Sequence, residues 1–183
     1  LGAEEYGLYN VVGGVVVLFS FLTNTLATAS QRYFAYEIGR NDDKRLNLLF
    51  SLTFILYISF AIIILVLAET LGLWFLYEKL VIPIDRMTAA FWVYQCSIVA
   101  CVINIMSVPY NADIIAHEKM SAYAYIGILD GLLRLGVAFM IIRAPFDRLV
   151  YYAMLMAGVV LIVRIIYGIY CRIHFAECRY RFV

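Results

Sequence analysis

Three stretches of this sequence carry no charged side chain: 26 residues from Tyr6 to Gln31, 23 from Leu46 to Ala68 and 26 from Met87 to Ala112. Crossing the hydrocarbon core takes about 20 helical residues at about 1.5 Å each, so every one of these runs is long enough to span it. Two further runs are broken only by isolated charges. Ser121 to Ile142 is apolar except for Asp130 and Arg134, and Leu149 to Cys171 except for Arg164. Inside lipid the backbone must satisfy its own hydrogen bonds, which leaves helices or closed barrels. The roughly ten-residue alternation of an outer-membrane barrel is absent. The expected fold is an all-α integral membrane protein, a polytopic bundle forming a single transmembrane domain over 1–183. Its five or so spans fall near 6–30, 46–68, 87–109, 121–142 and 149–171.

Composition excludes the soluble alternative. Hydrophobic residues make up 65% of the 183 and charged residues 15%, against about 45–50% and 25% in soluble domains. The 14 basic and 13 acidic residues are confined to short patches, too few to solvate an ordinary surface. A net charge of +1 gives no basis for a nucleic-acid partner. Cys96, Cys101, Cys171 and Cys178 show no metal-ligand spacing and read as reduced packing residues. The sequence opens on Leu1, with no charged region ahead of an apolar stretch as in a signal peptide. The expectation is an excerpt of a longer protein.

Orientation follows from lysine and arginine in the short linkers. One side collects eight: Arg32, Arg40, Lys44, Arg45, Lys119, Arg172, Arg179 and Arg181. The other holds four: Lys79, Arg86, Arg143 and Arg148. The first side is expected to be cytoplasmic, with residue 1 outside and residue 183 inside. Trp74, Phe75, Tyr77 and Trp92 then form an outer aromatic belt, and Tyr33, Tyr36, Tyr167 and Tyr170 an inner one. Thr70 to Ile84, with Glu78 and Lys79, reads as including a short helix at the outer interface.

Some polar residues sit too deep for these belts. Ser20, Asn24, Thr28 and Gln31 line one face of the first span, and Ser97, Cys101, Asn104 and Asn111 recur similarly in the third. Such stripes either glue helices together, at about 0.6 kcal/mol per contact, or line a watery cavity. Asp130 and Arg134 carry the strongest local signal. They lie four apart at mid-span, where they share a face and can pair. A charge at that depth costs about 2.5–3.5 kcal/mol on insertion scales. The pair either neutralises itself for packing or faces a solvated path on which Arg134 meets an anion. Arg164 has no acid in its own span; it either snorkels inward or joins the same cavity.

Enzyme chemistry has no foothold. His117-Glu118 starts like a zinc-protease helix, but Ser121 stands where the second His is required. Gly127 and Gly131 make a single GxxxG, which more often marks close helix packing. Neither a phosphate loop nor a haem or Ser-His-Asp pattern occurs.

Four blocks carry a resemblance. They are Leu1-Gly2 with Tyr6-Gly7-Leu8-Tyr9-Asn10-Val11-Val12-Gly13-Gly14, Ala29-Ser30-Gln31-Arg32-Tyr33-Phe34, Glu69-Thr70-Leu71-Gly72-Leu73-Trp74-Phe75-Leu76, and Val108-Pro109-Tyr110-Asn111-Ala112-Asp113 followed by His117-Glu118. The chain resembles bacterial polysaccharide flippases, the O-antigen and capsule repeat-unit translocases of the multidrug/oligosaccharidyl-lipid/polysaccharide exporter superfamily. The resemblance implies a MATE-like transporter of two lobes, with this chain as helices two to six of the first. A first helix is then expected before Leu1 and a second lobe after Val183. It further implies translocation of undecaprenyl-pyrophosphate-linked oligosaccharide across the bacterial cytoplasmic membrane, without enzymatic activity, cofactor or metal. The cavity candidates for that substrate are Arg134, Asp130, Arg164, Asn24, Gln31, Arg32 and Asn104, with Arg134 first for the pyrophosphate and Asp130 for any titrating role. Partners implied are the lipid-linked oligosaccharide, membrane lipids and other membrane proteins of polysaccharide assembly. The competing readings are a multidrug or cation exporter of the same superfamily, a membrane acyltransferase and a non-transporting scaffold. The first calls for acidic rather than cationic cavity residues, and the second for a deep His or metal cluster.

Overall fold

The computed structural model describes residues 23–40, 42–74, 87–141, 148–175 and 178. Expectations for residues 6–22, for the outer linker around Glu78 and Lys79, and for Arg86, Arg143, Arg179 and Arg181 lie outside them. The described residues form helices and no strand: α1 over 23–39, α2 over Asp43–Leu67, α3 over Met87–Ala116, α4 over Met120–Met140 and α5 over Arg148–His174. A π-helical turn, Ala68–Gly72, extends α2. Four segments, Lys44–Gly72, Met87–Ala116, Met120–Met140 and Arg148–His174, are long and apolar enough to cross a membrane. The chain is an all-helical membrane bundle.

The helices outrun the apolar stretches that announce them. α1 continues past Arg32 and Glu37, and α3 past Pro109 as far as Ala116. The connections between these spans are therefore short: α1 runs to residue 39 and α2 begins at Asp43, and only 117–119 separate α3 from α4. A charge ends the part of a helix that lipid tolerates. The helix itself can go on, because Lys and Arg stems reach back along it to the headgroups.

The start of α2 and the end of α3 are capped. The Asp42 carboxylate accepts a hydrogen bond from the Arg45 backbone N–H at 3.1 Å and pairs with its guanidinium at 3.3 Å. At the end of α3, Lys119 N–H donates to the Ile114 carbonyl and Glu118 N–H to that of Ile115. With Glu118 at φ 57° this is a Schellman closure, with a glutamate in the place glycine usually holds. His117 and Glu118 are thus the turn itself, not the start of a metal-binding helix.

α3 is the hub. It packs most extensively on α5 and next on α2, while α4 leans on α5 and meets α3 less. One core cluster joins Phe34, Leu46, Phe50, Tyr110, Ile114, Cys171 and Phe175, which sets the end of α1, the start of α2, the turn 117–119 and the end of α5 at the same end of the bundle. At the opposite end Ala68, Ala89, Val93, Tyr94, Leu149 and Ala153 pack together. Arg40, Lys44, Arg45, Lys119 and Arg172 accordingly gather at one end, and Arg148 sits at the other. Close to the second end, the Tyr94 hydroxyl donates to the Ala68 carbonyl at 2.7 Å, and a Cβ on Gly72 would collide with that hydroxyl. Side chains such as Ile62, Ile128, Leu132 and Phe139 are more than half exposed, as a surface solvated by lipid rather than water requires.

Candidate functional site

Three helix faces with the same spacing line a partly open cavity of about 220 Å³. α3 contributes Asn104, Ser107 and Asn111, α4 contributes Tyr123, Gly127, Asp130 and Arg134, and α5 contributes Val160, Val163 and Tyr167. On each helix these residues recur at three- and four-residue steps, which place them on one stripe. The polar residues of α3 and α4 share this space with Tyr167, while α5 otherwise contributes two valines.

Asp130 and Arg134 lie at the middle of this wall. The 21 residues of α4 span about 30 Å, and Asp130 is the central one. Arg134 Nε donates to both carboxylate oxygens of Asp130 at 3.0 Å. The pairing expected from four-residue spacing is present. Because both bonds run through Nε, the Nη donors are left to other acceptors, and the Arg134 side chain is 47% exposed.

Across the cavity, Ser107 donates to its own helix at the Ile103 carbonyl, 2.9 Å. Asn111 Oδ1 is buried and accepts no hydrogen bond among the described residues. A buried amide oxygen costs free energy unless a donor reaches it, so this wall suits water or a hydroxyl-bearing ligand. Tyr123 and Tyr167 face each other with ring centroids 6.4 Å apart.

Other expected residues fall elsewhere. The Arg164 guanidinium lies 4.0 Å over the Tyr110 ring, so it is engaged at the α3–α5 contact and is not among the residues lining the cavity. Asn24 and Arg32 are exposed on α1, Gln31 is half-buried there, and none of the three reaches the cavity. From the third-span stripe, Ser97 bonds back to the Val93 carbonyl and Cys101 packs with Tyr57 and Ile105. Only Asn104 and Asn111 of that stripe are cavity residues. Gly127 and Gly131 have open space where a Cβ would stand, so their GxxxG marks no close helix crossing. Tyr167, expected in the inner belt, is instead buried against α4.

Spacing gave no warning of a second polar cluster. Asp113 near the end of α3, Cys171 in the last turn of α5 and Cys178 beyond it are all fully buried. Cys178 Sγ donates to Asp113 Oδ2 at 3.3 Å, and Cys171 Sγ to the Tyr110 carbonyl at 3.7 Å. The Cys178 thiol is pushed well above its ordinary range, first by hydrogen bonding to Cys171, then by burial and the neighbouring Asp113 charge. Comparison with protein-family models, curated proteins and solved structures finds no match to this chain.

Proposed function

We propose that the chain is a transporter lobe that helps carry undecaprenyl-pyrophosphate-linked oligosaccharide repeat units across the bacterial cytoplasmic membrane. The observation that supports this reading best is a bonded Asp–Arg pair, at the midpoint of an apolar helix, opening on a polar cavity. A membrane protein keeps such charges where they serve a pathway. In this reading Arg134 offers its Nη donors to the pyrophosphate oxygens, for which a planar guanidinium is suited. Asn104, Asn111, Tyr123 and Tyr167 offer amide and hydroxyl partners to the first sugar. At about 220 Å³ the cavity is smaller than the roughly 300–1,000 Å³ of drug-sized pockets. It suits a headgroup, with the rest of the glycan in water and the prenyl chain in lipid. The end that gathers Arg40, Lys44, Arg45, Lys119 and Arg172 is assigned to the cytoplasm. A cation exporter is less well supported, because Arg134 already neutralises Asp130, the one acid among the described residues of the cavity wall.

The test is the double change Asp130→Asn with Arg134→Gln, made in a strain whose surface polysaccharide depends on this protein. Transport predicts normal membrane abundance with surface polysaccharide lost. Normal abundance with normal polysaccharide would reduce the pair to a packing device and overturn the proposal.

A further inference from the structure

We propose that Asp113, Cys171 and Cys178 form a binding site for a divalent metal ion of the zinc class, tying the end of α3 to the chain beyond α5. The carboxylate and the two sulfurs converge from three separate places in the sequence, and their ligand atoms lie within 4.8 Å of one another. All three residues are fully buried. A tetrahedral zinc with bonds of about 2.3 Å to sulfur and about 2.0 Å to oxygen separates ligand atoms by about 3.5–3.7 Å. The 3.3 Å between Cys178 Sγ and Asp113 Oδ2 is already close to that spacing. Two thiolates with one carboxylate select zinc over magnesium or calcium, which prefer all-oxygen sites.

A partner outside the cluster fits the same arrangement. His117 Nε2 stands 3.8 Å from the other carboxylate oxygen of Asp113, and its ring is stacked on Phe175 at 4.2 Å between centroids. An imidazole held in that place fixes how the carboxylate presents itself to an ion, as outer partners of metal ligands commonly do. On binding, each thiol gives up its proton to solvent and both sulfurs bond the ion as thiolates, so charge and protons balance without an oxidant. The site stands independently of the transport reading.

The experiment uses the whole chain, purified in detergent under a phosphine reductant and titrated with Co(II). One equivalent is expected to produce thiolate-to-cobalt charge transfer in the near ultraviolet and d–d bands in the visible. Zn(II) should abolish both and raise the thermal midpoint of the chain. Cys171→Ser and Cys178→Ser should each lose the charge-transfer band, and Asp113→Asn should weaken binding at least tenfold. His117→Ala should weaken it by about 10–100-fold while keeping the band. Absence of the band in the unsubstituted chain overturns the proposal whether or not the variants fold. Its survival in both cysteine variants does the same, since the metal would then sit at Cys96 or Cys101.

Discussion

Arg134 and Asp130 make a pair whose two halves are unequal in what they leave behind. Removing Asp130 alone strands a guanidinium at mid-membrane, whereas removing both leaves no charge unmatched. With both side chains partly exposed, Asp130→Asn is therefore expected to lower the detergent unfolding stability by about 1–3 kcal/mol, and Asp130→Asn with Arg134→Gln to restore most of that loss, as thermal denaturation would show. Arg134→Lys should keep the stability and give only partial surface polysaccharide, because an ammonium cannot offer the planar fork. The pair was readable from sequence since a four-residue step within one helix needs no tertiary information. Tyr123 and Tyr167, which complete the wall, were not, because their meeting depends on how α4 and α5 are rotated about their axes. The ring partner of Arg164 is invisible in the sequence for a similar reason, because Tyr110 lies on another helix.

Between elements, the joints are more specific than the helices they connect. Glu118 at φ 57° occupies a left-handed position that costs an L side chain about 1 kcal/mol relative to glycine. Glu118→Gly should thus stabilise the bundle by about 0.5–1 kcal/mol, seen as a higher unfolding midpoint with unchanged helix content. Gly72→Ala should act in the opposite sense. Its Cβ would drive the Tyr94 hydroxyl away from the Ala68 carbonyl, costing about 1–3 kcal/mol for the overpacking and the lost bond. Tyr94→Phe combined with Gly72→Ala should cost less than the two separately, since the colliding oxygen is gone. Charge-free runs suffice to find the spans of α2 and α3, and runs broken only by isolated charges those of α4 and α5, because lipid penalises charge strongly. Where α1 and α3 stop was hidden, since their ends lie at the headgroups, where charge is tolerated and capping geometry decides.

At the scale of the molecule, the grouping of the start of α2, the turn 117–119 and the end of α5 on one side makes a topology that labelling can check. Asp42→Cys and Glu118→Cys should react with an impermeant maleimide only after cells are opened, above the labelling of the unsubstituted chain. Arg148→Cys should react in intact cells. Reversal of that pattern would invert the orientation, and a split between Asp42→Cys and Glu118→Cys would contradict the bundle. The widest contact of α3 is with α5, although α4 follows it directly in the chain. During synthesis, therefore, α3 and α4 enter the membrane before the partner that covers them exists. Until α5 and Cys178 arrive, the wall formed by Asn104, Ser107 and Asn111 lacks Tyr167, and Asp113 lacks the cover of Cys171 and Cys178. A nascent chain halted near residue 141 would present polar groups where a lipid-facing quality-control protease looks for them, so the arrival of α5 decides whether α3 and α4 are kept.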